Sequence, residues 1–241
     1  MSTTAVAPPA VRVAGRRDTR TARRVVAAVL LPLGPLSVAA LRGLLPYFTA
    51  DNGTQTIRQT AAHLGRQDAV LWLSVIAAIA LIPSALAAGR LAQRGAPVLS
   101  LLGVGMLVPA YAALFLFAGD PTVRALAGSG LDPHTAGRIL DAQDGLAPVS
   151  VAALLFVAGH ILGMVLLGAA LARARAVPAW AAVAVIVSQP LHLVAFVVLG
   201  NQPLDAAAWG LTAVGLGVAG LRVLRTPNDA WDLPPAATTN P

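Results

Sequence analysis

The chain has 241 residues, of which 57% are hydrophobic and 11% charged, with a net charge of +7. Soluble globular proteins carry about 25% charged residues, so this chain has too few charges to cover a water-facing surface, and its surplus apolar surface suits lipid. The lack of cysteine excludes disulfides, thiolate catalysis and cysteine-ligated metal sites.

All 17 basic residues are arginine and all 10 acidic residues are aspartate. Together with the excess of Ala, Gly, Val and Leu, this composition is typical of a high-GC bacterial genome. The positive charge does not predict a nucleic-acid partner, because the arginines flank apolar segments and form no patch between soluble elements. The lipid bilayer is the partner that the composition predicts.

Residues 1–24 combine Ala, Pro, Thr and Arg without an apolar period. They predict a disordered basic cytoplasmic arm close to anionic lipid head groups. The alternative is a signal peptide whose apolar core is 25–41, with arginine pairs typical of a twin-arginine signal. The five apolar segments that follow favour the uncleaved arm.

Six apolar segments approach the ~20 residues that a helix needs to cross a bilayer. They are residues 25–47, 69–89, 96–118, 148–172, 177–200 and 206–221. The predicted fold class is therefore all-α, a polytopic membrane protein with six transmembrane helices in one domain, residues 25–224. The proline-rich residues 225–241 are predicted to be a disordered cytoplasmic tail.

The arginines predict the orientation of these spans. With the N-terminus inside, the inside segments hold twelve arginines and three aspartates, and the outside segments hold five arginines and seven aspartates. Every short inside loop is then basic, as the positive-inside rule requires. We therefore expect a multi-pass protein of the bacterial cytoplasmic membrane with both ends in the cytoplasm.

Two outside loops are long. Residues 48–68 place apolar side chains at helical spacing, which predicts a short interfacial helix. Residues 119–146 contain Asp132 as an N-cap before Pro133, which predicts a helix that ends near Asp144. Such loops form either a surface cap without a ligand or a lid that binds something.

Polar side chains deep within the spans are the candidate site. His160 lies in the fourth span, and Ser188, Gln189 and His192 lie in the fifth. These two spans form a tight hairpin that turns near Arg175, and each histidine is about 20–25 Å along its helix from the turn. The histidines are therefore predicted to lie at the same depth in adjacent helices.

Intramembrane polar residues are costly and are functional candidates by default. The first interpretation is that the histidines join helices by hydrogen bonds, in a structural or accessory subunit without a ligand. The second is that His160, Ser188, Gln189 and His192 line a polar site that binds or moves a small solute or a proton. The third is that His160 and His192 ligate the iron of haem b in a redox subunit, although a tight hairpin leaves little room for it.

No P-loop, HExxH motif or legible Ser–His–Asp set occurs, so no enzyme activity is predicted. No aspartate is predicted inside a span. The two histidines alone are too few ligands for a closed zinc site. Small-solute binding is therefore the leading functional prediction.

Two further features concern the ends and faces of the spans. Arg42 lies near the outer end of the first span and is grouped with the candidate ligand-binding residues. It is expected to snorkel outwards, with pairing to Asp51 or Asp205 as the alternative. Gly159 and Gly163 are four residues apart, which predicts close helix packing, either within the chain or between copies in an oligomer.

The segment from Gly159 to Asn201 resembles the helical hairpin of uncharacterised multi-pass membrane proteins from high-GC bacteria, grouped as domains of unknown function. The likeness comprises a polar histidine in one helix, an arginine-containing turn followed by Pro178, and then the run Ser-Gln-Pro-Leu-His. The resemblance implies a multi-pass membrane protein and implies no activity.

Overall fold

The computed structural model describes residues 18–48, 51–117 and 119–232. Over these residues the chain is helical and contains no β-strand. In chain order the helices are α1 (Arg20–Leu44), α2 (Gly53–Ala62), α3 (Leu64–Ala92), α4 (Pro97–Phe117), α5 (Asp120–Ala127), α6 (Pro133–Asp144), α7 (Ala147–Arg173), α8 (Ala179–Leu193), a π-helical turn (Val194–Val198), α9 (Gln202–Arg225) and α10 (Asn228–Trp231).

Six of these elements are long and apolar enough to cross a membrane: α1, α3, α4, α7, α8 with its π-helical turn, and α9. Large apolar side chains such as Trp72, Leu101 and Val198 are more than two-thirds exposed on the outside of the bundle. An exposed apolar surface of this kind suits lipid and not water. The prediction of an all-helical chain with six potential spans is confirmed.

The terminal boundaries differ from the prediction. The first helix begins at Arg20 and not at residue 25, because Arg20 pairs with Asp18 and with Asp229 in the C-terminal segment. The predicted arm 1–24 is therefore too long by the five residues 20–24. Residues 1–17 lie outside the described residues.

The predicted tail 225–241 is also wrong in its first part. The last long helix continues to Arg225, and α10 follows it and packs against α1. Trp231 is buried, its carbonyl accepts hydrogen bonds from Arg90, and the Arg90 guanidinium lies 5.2 Å from its ring centroid. Residues 233–241 lie outside the described residues.

The arginine-rich ends of the six long helices meet at one end of the bundle. The turn between α3 and α4 touches the turn between α7 and α8, since a β-carbon on Gly95 would lie 2.7 Å from Cα of Ala174. The start of α1 touches the segment after α9, where the Asn228 amide donates to the Thr21 hydroxyl over 2.8 Å. The opposite end carries α2, α5 and α6.

Pro35 inside α1 is accommodated by a neighbouring helix. Pro35 has no N–H and therefore frees the carbonyl of Leu31. Ser84 of α3 donates its hydroxyl to that carbonyl over 2.7 Å, and both residues are buried. The carbonyl freed by Pro35 thus has a donor from a neighbouring helix, as is usual for prolines inside membrane helices.

The predicted Gly159–Gly163 contact lies inside the chain. A β-carbon on Gly159 would lie 2.8 Å from Cβ of Ala110, and one on Gly163 would lie 3.0 Å from the carbonyl oxygen of Gly103. Both glycines are buried where α7 packs against α4. Of the two packings that the sequence predicts, the one within the chain is observed, because the small surfaces of these glycines bring two helices of one chain together.

The two long loops that the sequence predicts to lie outside form a helical cap. The predicted helix Pro133–Asp144 is confirmed, with Asp132 accepting a hydrogen bond from the N–H of Thr135 over 3.0 Å. The predicted helix within residues 48–68 is also confirmed as α2. These two helices pack closely, since the N–H of Gly53 donates to Asp141 over 3.0 Å.

The cap is fixed to the bundle through Asp120 at the start of α5. The phenol of Tyr47 donates to this carboxylate over 2.7 Å. Burial, with the neighbouring Asp120 carboxylate, raises the pKa of Tyr47, so the phenol keeps the proton that it donates. Arg124 of α5 also pairs with Asp68 of α3 over 2.6 Å.

Candidate functional site

The two intramembrane histidines lie side by side, at matching depth as the sequence predicts. The ring centroids of His160 in α7 and His192 in α8 are 5.4 Å apart. His160 is 1% exposed and His192 is 5% exposed. The tight turn after α7, in which Arg175 adopts a positive φ of 50°, brings the two helices together.

Asp205 completes this group; the sequence predicts it only as an alternative partner of Arg42 and not as a partner of His192. The Nδ1 of His192 hydrogen-bonds Oδ1 of Asp205, which is 2% exposed. Because a carboxylate can only accept, His192 carries a hydrogen on Nδ1. The expectation that Asp205 lies in the loop before the last span is therefore wrong, because it lies in the first turn of α9.

The start of the last helix explains the error. The prediction began this helix at residue 206 and left Asp205 in a loop, but α9 begins at Gln202. Asn201 caps it by accepting the N–H of Leu204 over 2.9 Å, and Pro203 lies in its first turn. An asparagine cap followed by a proline is a helix-start signal that predicts this boundary.

Arg42 pairs with the same carboxylate. Its Nε lies 3.2 Å from Oδ2 of Asp205, and its guanidinium lies 4.7 Å from the ring centroid of Phe196. The Arg42 side chain is 18% exposed. The expectation that Arg42 snorkels outwards is therefore wrong, and its alternative, pairing with Asp205, is observed because α1 and α9 pack along their length.

A π-helical turn places Phe196 beneath Arg42. The segment Val194–Val198 follows Pro190, and the N–H of Leu199 bonds the carbonyl of Val194 over 3.0 Å. The turn ends at Gly200, whose φ of +61° is the left-handed conformation that glycine adopts without strain. Such π-helical turns are rare in proteins, and many of those that exist lie at functional sites.

Ser188 and Gln189 belong to a separate hydrogen-bonded chain one turn deeper along α8. The Gln189 amide donates to the Thr212 hydroxyl over 2.9 Å, and Thr212 donates to Ser188 over 2.7 Å. Ser188 donates to the carbonyl of Val185 over 2.8 Å. Thr212 of α9, which the sequence analysis did not single out, therefore holds the two predicted residues in place.

Aromatic rings fill the space around the histidines. His160 stacks on Phe156 with centroids 4.3 Å apart and an angle of 21°, and on Trp209 at 5.7 Å and 13°. Trp209 also meets the His192 ring at 5.5 Å. A porphyrin between the two imidazoles would have to displace these rings, so the residues do not fit the haem alternative. Among the described residues, no group of three His, Asp, Glu or Cys side chains could hold a metal ion.

Four buried polar atoms in this region lack a hydrogen-bond partner. They are His160 Nε2, Tyr111 Oη, Gln189 Oε1 and Trp209 Nε1. His160 Nδ1 lies 2.7 Å from the carbonyl oxygen of Phe156, so Nδ1 carries the hydrogen and Nε2 of the neutral ring is a free acceptor. Each unsatisfied buried group costs about 1–3 kcal/mol, so this region favours an additional polar guest.

A narrow crevice leads from the cap end of the bundle to Asp205. Its walls come from the end of α1, the π-helical turn and the start of α9, and they include Arg42, Phe48, Phe196, Gln202 and Asp205. The crevice has no room for a water molecule. The described structure therefore has the site closed on this side.

Comparisons of the chain with protein-family models, curated proteins and solved structures find no match. Only the geometry of the site therefore indicates its chemistry. His192 and Asp205 share one hydrogen, and Arg42 supplies a counter-charge to the carboxylate. Such a group can accept or release a proton without any cavity for a solute.

Proposed function

We propose that this chain is a multi-pass protein of the bacterial cytoplasmic membrane that binds or moves a small polar solute and holds a proton on the His192–Asp205 pair. The single observation that carries the proposal is the buried His192–Asp205–Arg42 group within apolar helices. The group lies at the cap-side ends of these helices, and buried ionisable side chains within apolar helices are costly and are functional candidates. The same proposal puts the start of α1 and the end of α9 on the cytoplasmic side, and the meeting of the arginine-rich helix ends at one end of the bundle supports it.

In this proposal, the added proton binds to His192. With His192 neutral and Asp205 ionised, the group carries no net charge, since Arg42 balances the carboxylate. A proton accepted by Nε2 of His192 gives the group one positive charge in a low-dielectric region. His160 lies beside it and presents a second free imidazole nitrogen. Because an added charge at this depth is costly, protonation favours a rearrangement of α1, α8 and α9 that admits solvent or solute.

The unpartnered atoms support a small, uncharged polar solute. His160 Nε2 and Gln189 Oε1 are acceptors, while Tyr111 and Trp209 offer hydrogens. Aromatic rings surround these atoms, which is usual for sites that enclose small ligands. Entry requires the end of α1 to separate from the π-helical turn, since the crevice beside Asp205 is too narrow.

Proton flux into proteoliposomes tests the proton part of this proposal. The purified full chain is reconstituted with a pH-sensitive dye inside, and a potassium diffusion potential drives protons inwards. We expect Asp205→Asn to reduce the acidification rate about tenfold, as a barrier increase near 1.4 kcal/mol would do. The charge-matched control is Asp144→Asn, at the exposed end of α6, which leaves the rate unchanged.

Two other outcomes would replace the proposal. Equal flux in empty liposomes and in all variants, with only thermal stability lowered by Asp205→Asn, would leave hydrogen bonding between helices as the role of the group. An absorption spectrum of the purified protein with a Soret band that disappears in His160→Ala would establish haem binding instead. A panel of small polar solutes that raises the melting temperature of the wild type, and not of His160→Ala, identifies the solute class.

A further inference from the structure

A second polar region lies at the opposite end of the bundle. We name it the basic cleft: it opens where the turn between α3 and α4, the turn between α7 and α8, and the end of α9 meet α10, and its volume is about 450 Å³. Its polar lining comprises Arg90, Gln93, Arg94, Arg175, Arg222, Thr226 and Asp232. Four guanidinium groups thus share one cleft with a single carboxylate.

The carboxylate in the basic cleft is already engaged. Asp232 pairs with Arg90 over 2.7 Å and with Arg23 of α1 over 2.8 Å. In the described part of the chain, no carboxylate pairs with Arg94, Arg175 or Arg222. Three exposed guanidinium groups are therefore left to bind an anion. Guanidinium recognises phosphate through paired, charge-assisted hydrogen bonds.

An apolar groove continues from the basic cleft along the outside of the bundle. We name it the apolar groove: it lies over α3 between α1 and α4, and its volume is about 830 Å³. Its apolar walls include Val26, Leu30, Leu86, Leu101 and Val104. From Arg23 to Leu30 it follows α1 for about 10 Å along the helix axis.

The cleft and the groove are continuous. They share Arg90, Gln93, Trp231 and Asp232. The indole of Trp231 and the carboxylate of Asp232 thus mark the junction between an arginine-lined end and an apolar end. Tryptophan is the residue that favours the level of lipid head groups.

We propose that the basic cleft and the apolar groove together bind one anionic phospholipid, with its phosphate in the cleft and an acyl chain in the groove. The positive charge of the cleft suits a lipid with net negative charge. A zwitterionic lipid is less suitable, because its head group carries a positive charge beside the phosphate. The groove explains why the occupant is a lipid, since a free phosphate would leave the apolar walls unused. Basic recesses on the cytoplasmic side of helix bundles bind anionic head groups in this way.

This site is independent of the histidines, so the proposed function can fail without affecting it. The two regions share no residue and lie at opposite ends of the bundle. The probes are phosphatidylglycerol, which is anionic, phosphatidylcholine, which is zwitterionic, and glycerol 3-phosphate, which has no acyl chain. Native mass spectrometry of the full chain in detergent counts the bound molecules.

We expect phosphatidylglycerol to be retained about tenfold more strongly than phosphatidylcholine, and glycerol 3-phosphate not to displace it. The test variant of the cleft is Arg175→Gln/Arg222→Gln, which should lose most of this preference. Its matched control is Arg173→Gln/Arg225→Gln, which removes the same charge from the same two segments outside the cleft lining. Equal loss in both variants would show only bulk charge attraction and would overturn the proposal.

A second pair of variants tests the apolar groove. Leu101→Trp fills the apolar groove, and Leu154→Trp places the same side chain on an exposed face of α7 away from it. Retention of phosphatidylglycerol should fall in the first variant and stay unchanged in the second. Unchanged retention in both, or equal displacement by glycerol 3-phosphate, would show that a phosphate is bound without its lipid and would overturn the proposal.

Discussion

At the scale of single residues, the decisive arrangement is one carboxylate with two partners. Asp205 accepts from His192 and pairs with Arg42, and its side chain is nearly inaccessible. A buried charge is tolerated only when its partners compensate the lost hydration. The three residues therefore form one electrostatic unit, and each single substitution leaves the others unbalanced.

A double-mutant cycle measures this coupling. Arg42→Gln leaves the Asp205 carboxylate buried without its counter-charge and should lower the free energy of unfolding by about 3–5 kcal/mol. The double variant Arg42→Gln/Asp205→Asn should recover a large part of that loss, because no charge remains unpaired. Unfolding in mixed micelles gives both values. Strictly additive losses would show that the two residues do not interact.

A second residue-scale prediction concerns the two buried serines near Pro35. Ser84→Ala should cost about 1 kcal/mol, since the Leu31 carbonyl then has no donor. Ser37→Ala is the control, because its hydroxyl bonds the Leu33 carbonyl of its own helix, which the backbone already satisfies. The same unfolding assay compares them. Equal costs would mean that Ser84 does not replace the bond removed by Pro35.

At the scale of helices, glycine decides how closely α4 and α7 approach. Without a hydrophobic driving force between helices in lipid, their association depends on close packing. Gly103, Gly159 and Gly163 provide this contact, which leaves no space for a β-carbon. The sequence predicts the small residues, but their partner helix is set by the fold.

A pair of alanine substitutions tests this contact. Gly163→Ala should destabilise the chain by about 1–3 kcal/mol, because its β-carbon would lie 3.0 Å from the Gly103 carbonyl. Gly105→Ala on the same pair of helices has open space around it and should change stability by less than about 1 kcal/mol. Melting temperature in detergent gives the comparison. If Gly163→Ala also altered the oligomeric state, Gly163 would not contact only helices of its own chain, and the contact described above would be wrong.

At the scale of the whole molecule, the two ends of the bundle differ in charge and shape. One end carries the basic cleft, and the other carries the cap of α2, α5 and α6. This asymmetry supports the proposed orientation, with the arginines in the cytoplasm.

Introduced cysteines test the orientation directly, since the chain has none of its own. Ser129→Cys lies between α5 and α6, and Gln93→Cys lies between α3 and α4; both positions are exposed. In intact spheroplasts, a membrane-impermeant maleimide should label Ser129→Cys and label Gln93→Cys only after lysis. Labelling with the reverse pattern would invert the orientation.

The sequence predicted the elements well where physical signals are local. Apolar length marked the six spans, and the cap at Asp132 marked α6 to the residue. Errors arose at the start of α1, where pairing with a distant segment extends the helix, and at the start of α9, where the local signal of the Asn201 cap was not used. The site was predicted in part: the histidines were placed side by side and Asp205 was named as an alternative partner of Arg42, while the contact between His192 and Asp205 was not predicted.

The sequence alone determined that the chain is helical with six segments long and apolar enough to cross a membrane, because composition and apolar length are properties of single segments. It also determined that two imidazoles lie at one depth, because helix rise is constant along a hairpin. Only the tertiary structure decided which side chains meet them. The approach of α1 and α9, the π-helical turn after Pro190 and the glycine contact between α4 and α7 depend on packing between residues far apart in the chain, which no local pattern encodes.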